Sequence, residues 1–324
     1  MRIEPFALNL RYALQTTVKS SVSFSGTGLH SGKPATLIVR PASAEYGIWF
    51  RRTDLSGNTL VPARWDAVIE GAALCTRLRN SSDVQVSTVE HIMAALAGCG
   101  VHNALIEVDG PEVPILDGSA HPFVEGLMRV GLQVLEAPVR AFEVLKPVEV
   151  RQGDAVARLS PDDSLYIDFK IEFADAAIGN QHKSLKMANG NFVRELCDSR
   201  TFCRQRDVDA MREQGLALGG TMENAVVVEG AKVLSPGGLR HEDEAVRHKM
   251  LDALGDLALA GAPILGRYTG LRAGHALTNK LLRALFADPD AFRMISCSKS
   301  TAARLPGAGL HKHDLPQPFL QAIA

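Results

Sequence analysis

Residues 164–173, SLYIDFKIEF, alternate without a break. Leu165, Ile167, Phe169, Ile171 and Phe173 point one way; Tyr166, Asp168, Lys170 and Glu172 point the other. A period of two predicts a strand with one buried face, read here as antiparallel. Residues 243–257, DEAVRHKMLDALGDL, keep a different period. Val246, Met250, Leu251, Leu254 and Leu257 fall on one side at helical spacing, while His248, Asp252 and Asp256, four apart, make a second stripe. The ordinary reading of such a polar stripe is a solvated helix face. It gains chemical meaning only if other side chains converge on it.

The same patterning organises the rest of the chain. Strand-like segments at 21–26, 34–42 and 46–53 precede a helix at 88–98, with Ser87 and Thr88 as cap candidates and Glu90 in the first turn. Gly98 and Gly100 stop it. A strand at 103–108, a Gly/Pro-rich loop and a helix near 119–131 complete a first unit. A second unit starts near residue 133. It holds a hairpin at 148–161 turning at Gln152-Gly153-Asp154, the strand 164–173, the helix carrying His248, a strand at 263–274 and a helix at 278–288. VEHIM (89–93) and VRHKM (246–250) share the frame V-x-H-x-M, which points to two related α+β units. The expected division is an extension at 1–17, domains at 18–132 and 133–298, and a loosely ordered tail at 299–324.

Composition narrows the function classes. The 324 residues are 46% apolar and 22% charged, with a formal net charge of −1. That is enough apolar material for a large core and no basic excess of the kind nucleic-acid binders show. Five cysteines, widely spaced and without a CxxC pair, suit reduced thiols in a cytosolic protein. The N-terminal residues lack a signal-peptide core, and no apolar run approaches the roughly 18 residues of a spanning helix.

His91 and His248 occupy matching helix starts, and Asp252 lies one turn beyond His248. Two imidazoles and a carboxylate with a fourth position open are the donor set of a catalytic zinc site. The H-x-x-x-D spacing is far less specific than H-E-x-x-H, which is absent. Glu90, beside His91, suits a general base, or simply a first-turn carboxylate. His275 stands in a Gly-preceded loop, where it suits proton donation or capping, and Asp256 suits its orientation or plain helix surface. GTGLHSGKP (26–34) imitates a phosphate-binding loop, but Thr27 replaces the first glycine and Pro34 the Ser/Thr that would hold Mg²⁺. It is read as a turn between strands.

Several segments together resemble one family: GTGLHSGKPATLIVRPA, LCTRL, VSTVEHIMAALAGCGVHNALIEVDGPEVPILDGSAHPFV, SRTF, GLALGGT, RHEDEAVRHKMLDALGDL and GHALTNKLL. In order, and over about residues 18–290, they are similar to the UDP-3-O-acyl-N-acetylglucosamine deacetylases, zinc amidases of lipid A synthesis. The resemblance implies an α+β fold with helices of both halves between two sheets. It implies one zinc per chain, with iron as an alternative in the cell, held by His91, His248 and Asp252. It implies Glu90 as base, His275 as acid or oxyanion partner, Asp256 as its orienter, and Thr201 as an oxyanion donor. Lys249 and Phe202 would touch the nucleotide-sugar, and Leu29 and Cys75 would lie near the site. An acyl passage would run through an insertion at 207–230, lined by Val208, Leu216, Ala217, Thr221, Ala225 and Val227. The expected protein is a cytoplasmic monomer whose partner is a UDP-linked acylated glucosamine. A zinc hydrolase of another amide and a non-catalytic lipid-sugar binder are the competing readings.

Overall fold

The period-two segments become strands of two main sheets. The computed structural model describes residues 11–71 and 74–317. One sheet has five strands in the order Val22–Thr27, Pro34–Pro41, Ala104–Val108, Ile48–Arg52, Leu60–Pro62. All its pairings are antiparallel except that of Ile48–Arg52 with Ala104–Val108. The other sheet has seven strands centred on Ile264–Leu271, which pairs with Ala155–Ser160, Leu165–Glu172 and Arg140–Val144. The hairpin Val148–Gln152/Ala155–Ser160 turns at Gly153, where φ is +57°. Leu165–Glu172 buries Leu165, Ile167, Phe169 and Ile171 as the alternation requires. It is antiparallel only toward Asn180–Lys186; toward Ile264–Leu271 it is parallel. Period two reports a buried face and carries no information on strand direction.

The helices that matter below are α1 (Glu90–Gly98), α2 (His121–Val130), α3 (Gln205–Glu213), α4 (Glu244–Ala258) and α5 (His275–Ala287). α1 and α4 pack on each other, and α4 also contacts α5 and the strand Leu165–Glu172. One contiguous apolar core runs from Leu37, Phe50 and Ile106 through Ile92 and Leu96 of α1 and Met250 and Leu254 of α4 to Ile167 and Tyr268. Each such leucine or isoleucine contributes about 1.5–3 kcal/mol by leaving water. The architecture is α+β, as expected.

Four local expectations change. Thr88 does not cap α1. It has a positive φ of +58°, unusual for a β-branched residue, and its hydroxyl donates to Glu112 Oε1 at 2.8 Å, leaving Val89 at the cap position. α5 begins at His275, three residues before the expected start, so that histidine opens a helix instead of sitting in a loop. Part of the expected N-terminal extension is a strand, Leu14–Val18, paired with Leu132–Pro138 and burying Val18. The tail is also engaged: Asp314 is buried and ion-paired with Arg194 at 2.7 Å, and Leu305 is buried. Residues 1–10 and 318–324 lie outside the described residues.

Candidate active site

The crossing of α1 over α4 builds the site. At Gly255 an added Cβ would overlap the carbonyl oxygen of Glu90, so the two helix backbones touch there. That contact sets His91 of α1 against the polar stripe of α4. The rings of His91 and His248 lie 5.0 Å apart, edge to face. Asp252 Oδ1 is 3.6 Å from His91 Nε2 and 3.3 Å from His248 Nε2. One donor atom from each of the three residues lies within 4.8 Å of the others. The stripe is therefore not a solvated face: His91, His248, Asp252 and Asp256 are all 3–4% exposed.

The electrostatics fit a divalent cation. His248 Nδ1 bonds the carbonyl of Ser199 at 3.0 Å, which leaves Nε2 as the lone-pair atom facing Asp252. Burial lowers the pKa of His248 to about 4, against the pull of Asp252, so the ring is neutral and able to ligate. Burial opposes ionisation of Asp252, yet His248, Lys249 and His275 outweigh it and hold the carboxyl well below its usual range. Asp252 Oδ2 accepts from Lys249 Nζ at 2.7 Å, whereas Oδ1 is buried with no hydrogen-bond partner. A buried acceptor oxygen left without a partner costs about 1–3 kcal/mol, and more on a charged group. A cation between Oδ1 and the two imidazoles removes that penalty.

A second cluster adjoins the first. Glu90, the first residue of α1, is buried, and burial raises its pKa. Its Oε2 accepts from the backbone N–H of Thr76 at 3.1 Å, and its Oε1 lies 3.7 Å from His275 Nε2. His275 Nδ1 pairs with Asp256 Oδ2 at 2.8 Å. Burial would lower the pKa of His275, but Asp256, Glu90 and Asp252 together raise it to about 9. The imidazole is thus charged at neutral pH and faces a buried carboxylate.

Both clusters open into a cavity of about 750 Å³. Its wall includes His248, Asp252 and His275, with Thr201, Phe202, Lys249, Leu29 and Cys75 around them. Further along it are Val208, Leu216, Ala217, Thr221, Ala225 and Val227, so every residue expected to touch substrate lines one space. Glu90, His91 and Asp256 stand behind this wall. Thr201 is set by a buried ion pair, Arg200 Nε to Glu244 Oε1 at 2.9 Å, at the start of α4, and by its own N–H bond to Gly118 O at 2.8 Å. Phe202 packs edge-on against His248, with ring centroids 6.3 Å apart. The expected insertion is a βαβ unit, in which Phe202–Arg204 pairs in parallel with Val226–Glu229 and α3 bridges them. Burial pushes the Cys75 thiol up to about 12, which marks it as a small apolar wall residue and not a nucleophile.

Two residues of the site were not read from the sequence. Glu112 accepts from the backbone N–H groups of His30 and Ser31 at 2.9 and 2.8 Å. The loop that imitates a phosphate cradle is thus filled by the protein's own carboxylate. Thr76 bonds both Glu90 and Asp256. It lies within LCTRL beside Cys75, but neither spacing nor periodicity separates it from its neighbours.

Comparison with known proteins places the chain beside one family. Residues 15–287 match the family model described as LpxC, UDP-3-O-acyl N-acetylglycosamine deacetylase. A protein of Phenylobacterium zucineum named UDP-3-O-acyl-N-acetylglucosamine deacetylase is 49% identical over 288 residues, covering 89% of this chain and 98% of its own length. Proteins of the same name from Shewanella frigidimarina and Shewanella oneidensis are 45% and 46% identical, covering 92% and 89% of this chain and 99% and 95% of their own.

Proposed function

The chain belongs to the UDP-3-O-acyl-N-acetylglucosamine deacetylase family, and from that premise we propose that it removes the acetyl group of UDP-3-O-acyl-N-acetylglucosamine in lipid A synthesis, using one zinc ion. The observation that carries the metal reading is the buried, unpartnered Oδ1 of Asp252 between two imidazole Nε2 atoms. His91, His248 and Asp252 hold the ion; iron is the alternative in the cell. Zinc in such a site acts as a Lewis acid and lowers the pKa of a water to about 7.

The remaining chemistry belongs to the chain. Glu90, with Oε2 held by Thr76, offers Oε1 to take the proton of the attacking water. His275, charged and oriented by Asp256, turns Nε2 toward the oxyanion and, with Glu90, is the source of the proton returned to the departing amine. The Thr201 hydroxyl is a second oxyanion donor; such donors contribute about 3 kcal/mol each. Lys249 and Phe202 bind the nucleotide-sugar near the ligands. Val208, Leu216, Ala217, Thr221, Ala225 and Val227 line the passage for the acyl chain, with Leu29 and Cys75 near the ligands. Among the described residues no helix is long and apolar enough to cross a membrane. We place the enzyme in the cytoplasm as a monomer, with domains at 18–132 and 133–298.

The test is acetate release from UDP-linked acylated glucosamine by purified protein of known metal content. Release in proportion to bound zinc or iron is expected. A folded, metal-stripped sample with full activity would overturn the metal reading, and a metal-loaded sample without release would overturn the substrate.

A further inference from the structure

Thr76 reaches both proton-handling groups from a loop that contains neither. It is buried at 3% exposure, just before the strand Arg77–Arg79. Its backbone N–H donates to Glu90 Oε2, on α1, at 3.1 Å. Its hydroxyl donates to Asp256 Oδ1, on α4, 180 residues further along the chain. Its carbonyl accepts from the Val89 N–H at 3.4 Å, so its backbone brackets the start of α1.

Each contact decides which of two equivalent oxygens is left for chemistry. With Oε2 of Glu90 occupied, Oε1 is the oxygen that faces His275 Nε2 at 3.7 Å. With Oδ1 of Asp256 occupied, Oδ2 is the oxygen that takes His275 Nδ1, at 2.8 Å. A ring that gives its Nδ1 proton to Asp256 has only Nε2 to turn toward the cavity. A β-branched threonine has a stiff χ1, which fixes the hydroxyl relative to its own N–H. Valine has the same shape without the donor; serine keeps the donor.

We propose that Thr76 is a positioning residue of the deacetylation, aligning the base Glu90 and the Asp256–His275 pair through two donors on one residue. This rests on the roles given to Glu90 and His275 above. A threonine that merely satisfied two buried carboxylates would affect stability without selecting the edge of the imidazole that works.

Thr76→Val and Thr76→Ser, compared with the unaltered metal-loaded protein, test the difference. Thr76→Val is expected to keep its metal and its KM and to lose about 10-fold or more in kcat, the scale of an outer-shell hydrogen bond. Thr76→Ser is expected to restore most of that loss. In an Asp256→Asn background, Thr76→Val is expected to cost little more, because the link is already broken. Nitrogen-15 NMR of the His275 ring gives a readout independent of turnover. The hydrogen-bonded Nδ1–H signal is expected to move in Thr76→Val and to stay in Thr76→Ser. Unchanged kcat, equal losses in both variants, full additivity with Asp256→Asn, or an unmoved ring signal would each overturn the proposal. A ring signal that behaves as expected in a protein releasing no acetate would support the positioning role and overturn the substrate reading instead.

Discussion

Helices α1 and α4 carry the same V-x-H-x-M frame near their starts and bear unequal loads. α1 is short and, beyond Glu90 and His91, apolar on every side; nearly all of it is buried. In the proposed mechanism it delivers one ligand and one base from its first turn. α4 is longer and has an ordinary apolar face, but its polar stripe is also buried; in the proposed mechanism that stripe delivers two ligands, and its Asp256 pairs with His275. At its start the same helix carries an unremarkable cluster, Asp243 with Arg247 and Lys183, partly open to solvent. Charges of that kind contribute about 1 kcal/mol or less. The stripe one turn later differs because another helix closes on it. A polar side chain on a helix is neutral information until packing decides whether water can reach it.

The comparison breaks most visibly at Asp252. Asp252→Ala should remove the metal and bring acetate release to background, as read by metal analysis and product assay on one sample. Glu90→Gln, on the other helix, should leave a full equivalent of metal and lower kcat by about 10²–10⁴-fold, the range of a general base. If the two variants held metal equally well, the division of labour between the helices would be wrong.

His275→Ala should also keep the metal and cost about 10²–10³-fold in kcat, comparable to one oxyanion donor. Glu90 must be ionised and His275 protonated, so rate against pH should be bell-shaped. Burial raises Glu90 and a bound dication lowers it, so the two act against each other on the acid limb. Three carboxylates raise His275 to about 9, and a bound dication pulls it down, so the basic limb falls at or below that value. A profile with a single limb would count against the pairing.

The smallest expected effect concerns the contact between the helices. Gly255→Ala puts a methyl against the Glu90 carbonyl and forces α1 away from α4. A cost of about 1–3 kcal/mol in unfolding free energy is expected from such overpacking. Because the proposed ligands come from both sides of the crossing, metal affinity should fall with it. Denaturant unfolding with a metal-binding titration on the same variant would show whether the two losses travel together.

Local patterns were legible where the physics is local. The alternation at 164–173, the hairpin at Gly153 and the helix face of Val246, Met250 and Leu254 follow from periods of two and 3.6, which a short window contains. Ser87 and Thr88 show the limit. Both are good cap residues, but Glu112, far along the chain, claims the Thr88 hydroxyl and a strained φ goes with it. Thr27 and Pro34 exclude a phosphate loop at 26–34, but nothing within that segment names Glu112 as the group that fills it. Even the strand 165–172 showed its buried face but not its two opposite neighbours.

By itself the amino-acid sequence determined the main periodic elements, their apolar faces and, through long motif resemblance, the family. Tertiary structure alone decided that the stripe of α4 is dry, that Gly255 lets His91 meet it, and that Thr76 joins Glu90 to Asp256. The reason is range. Periodicity acts over a few residues, whereas burial and the partner of each oxygen depend on segments up to 180 residues apart meeting in one core.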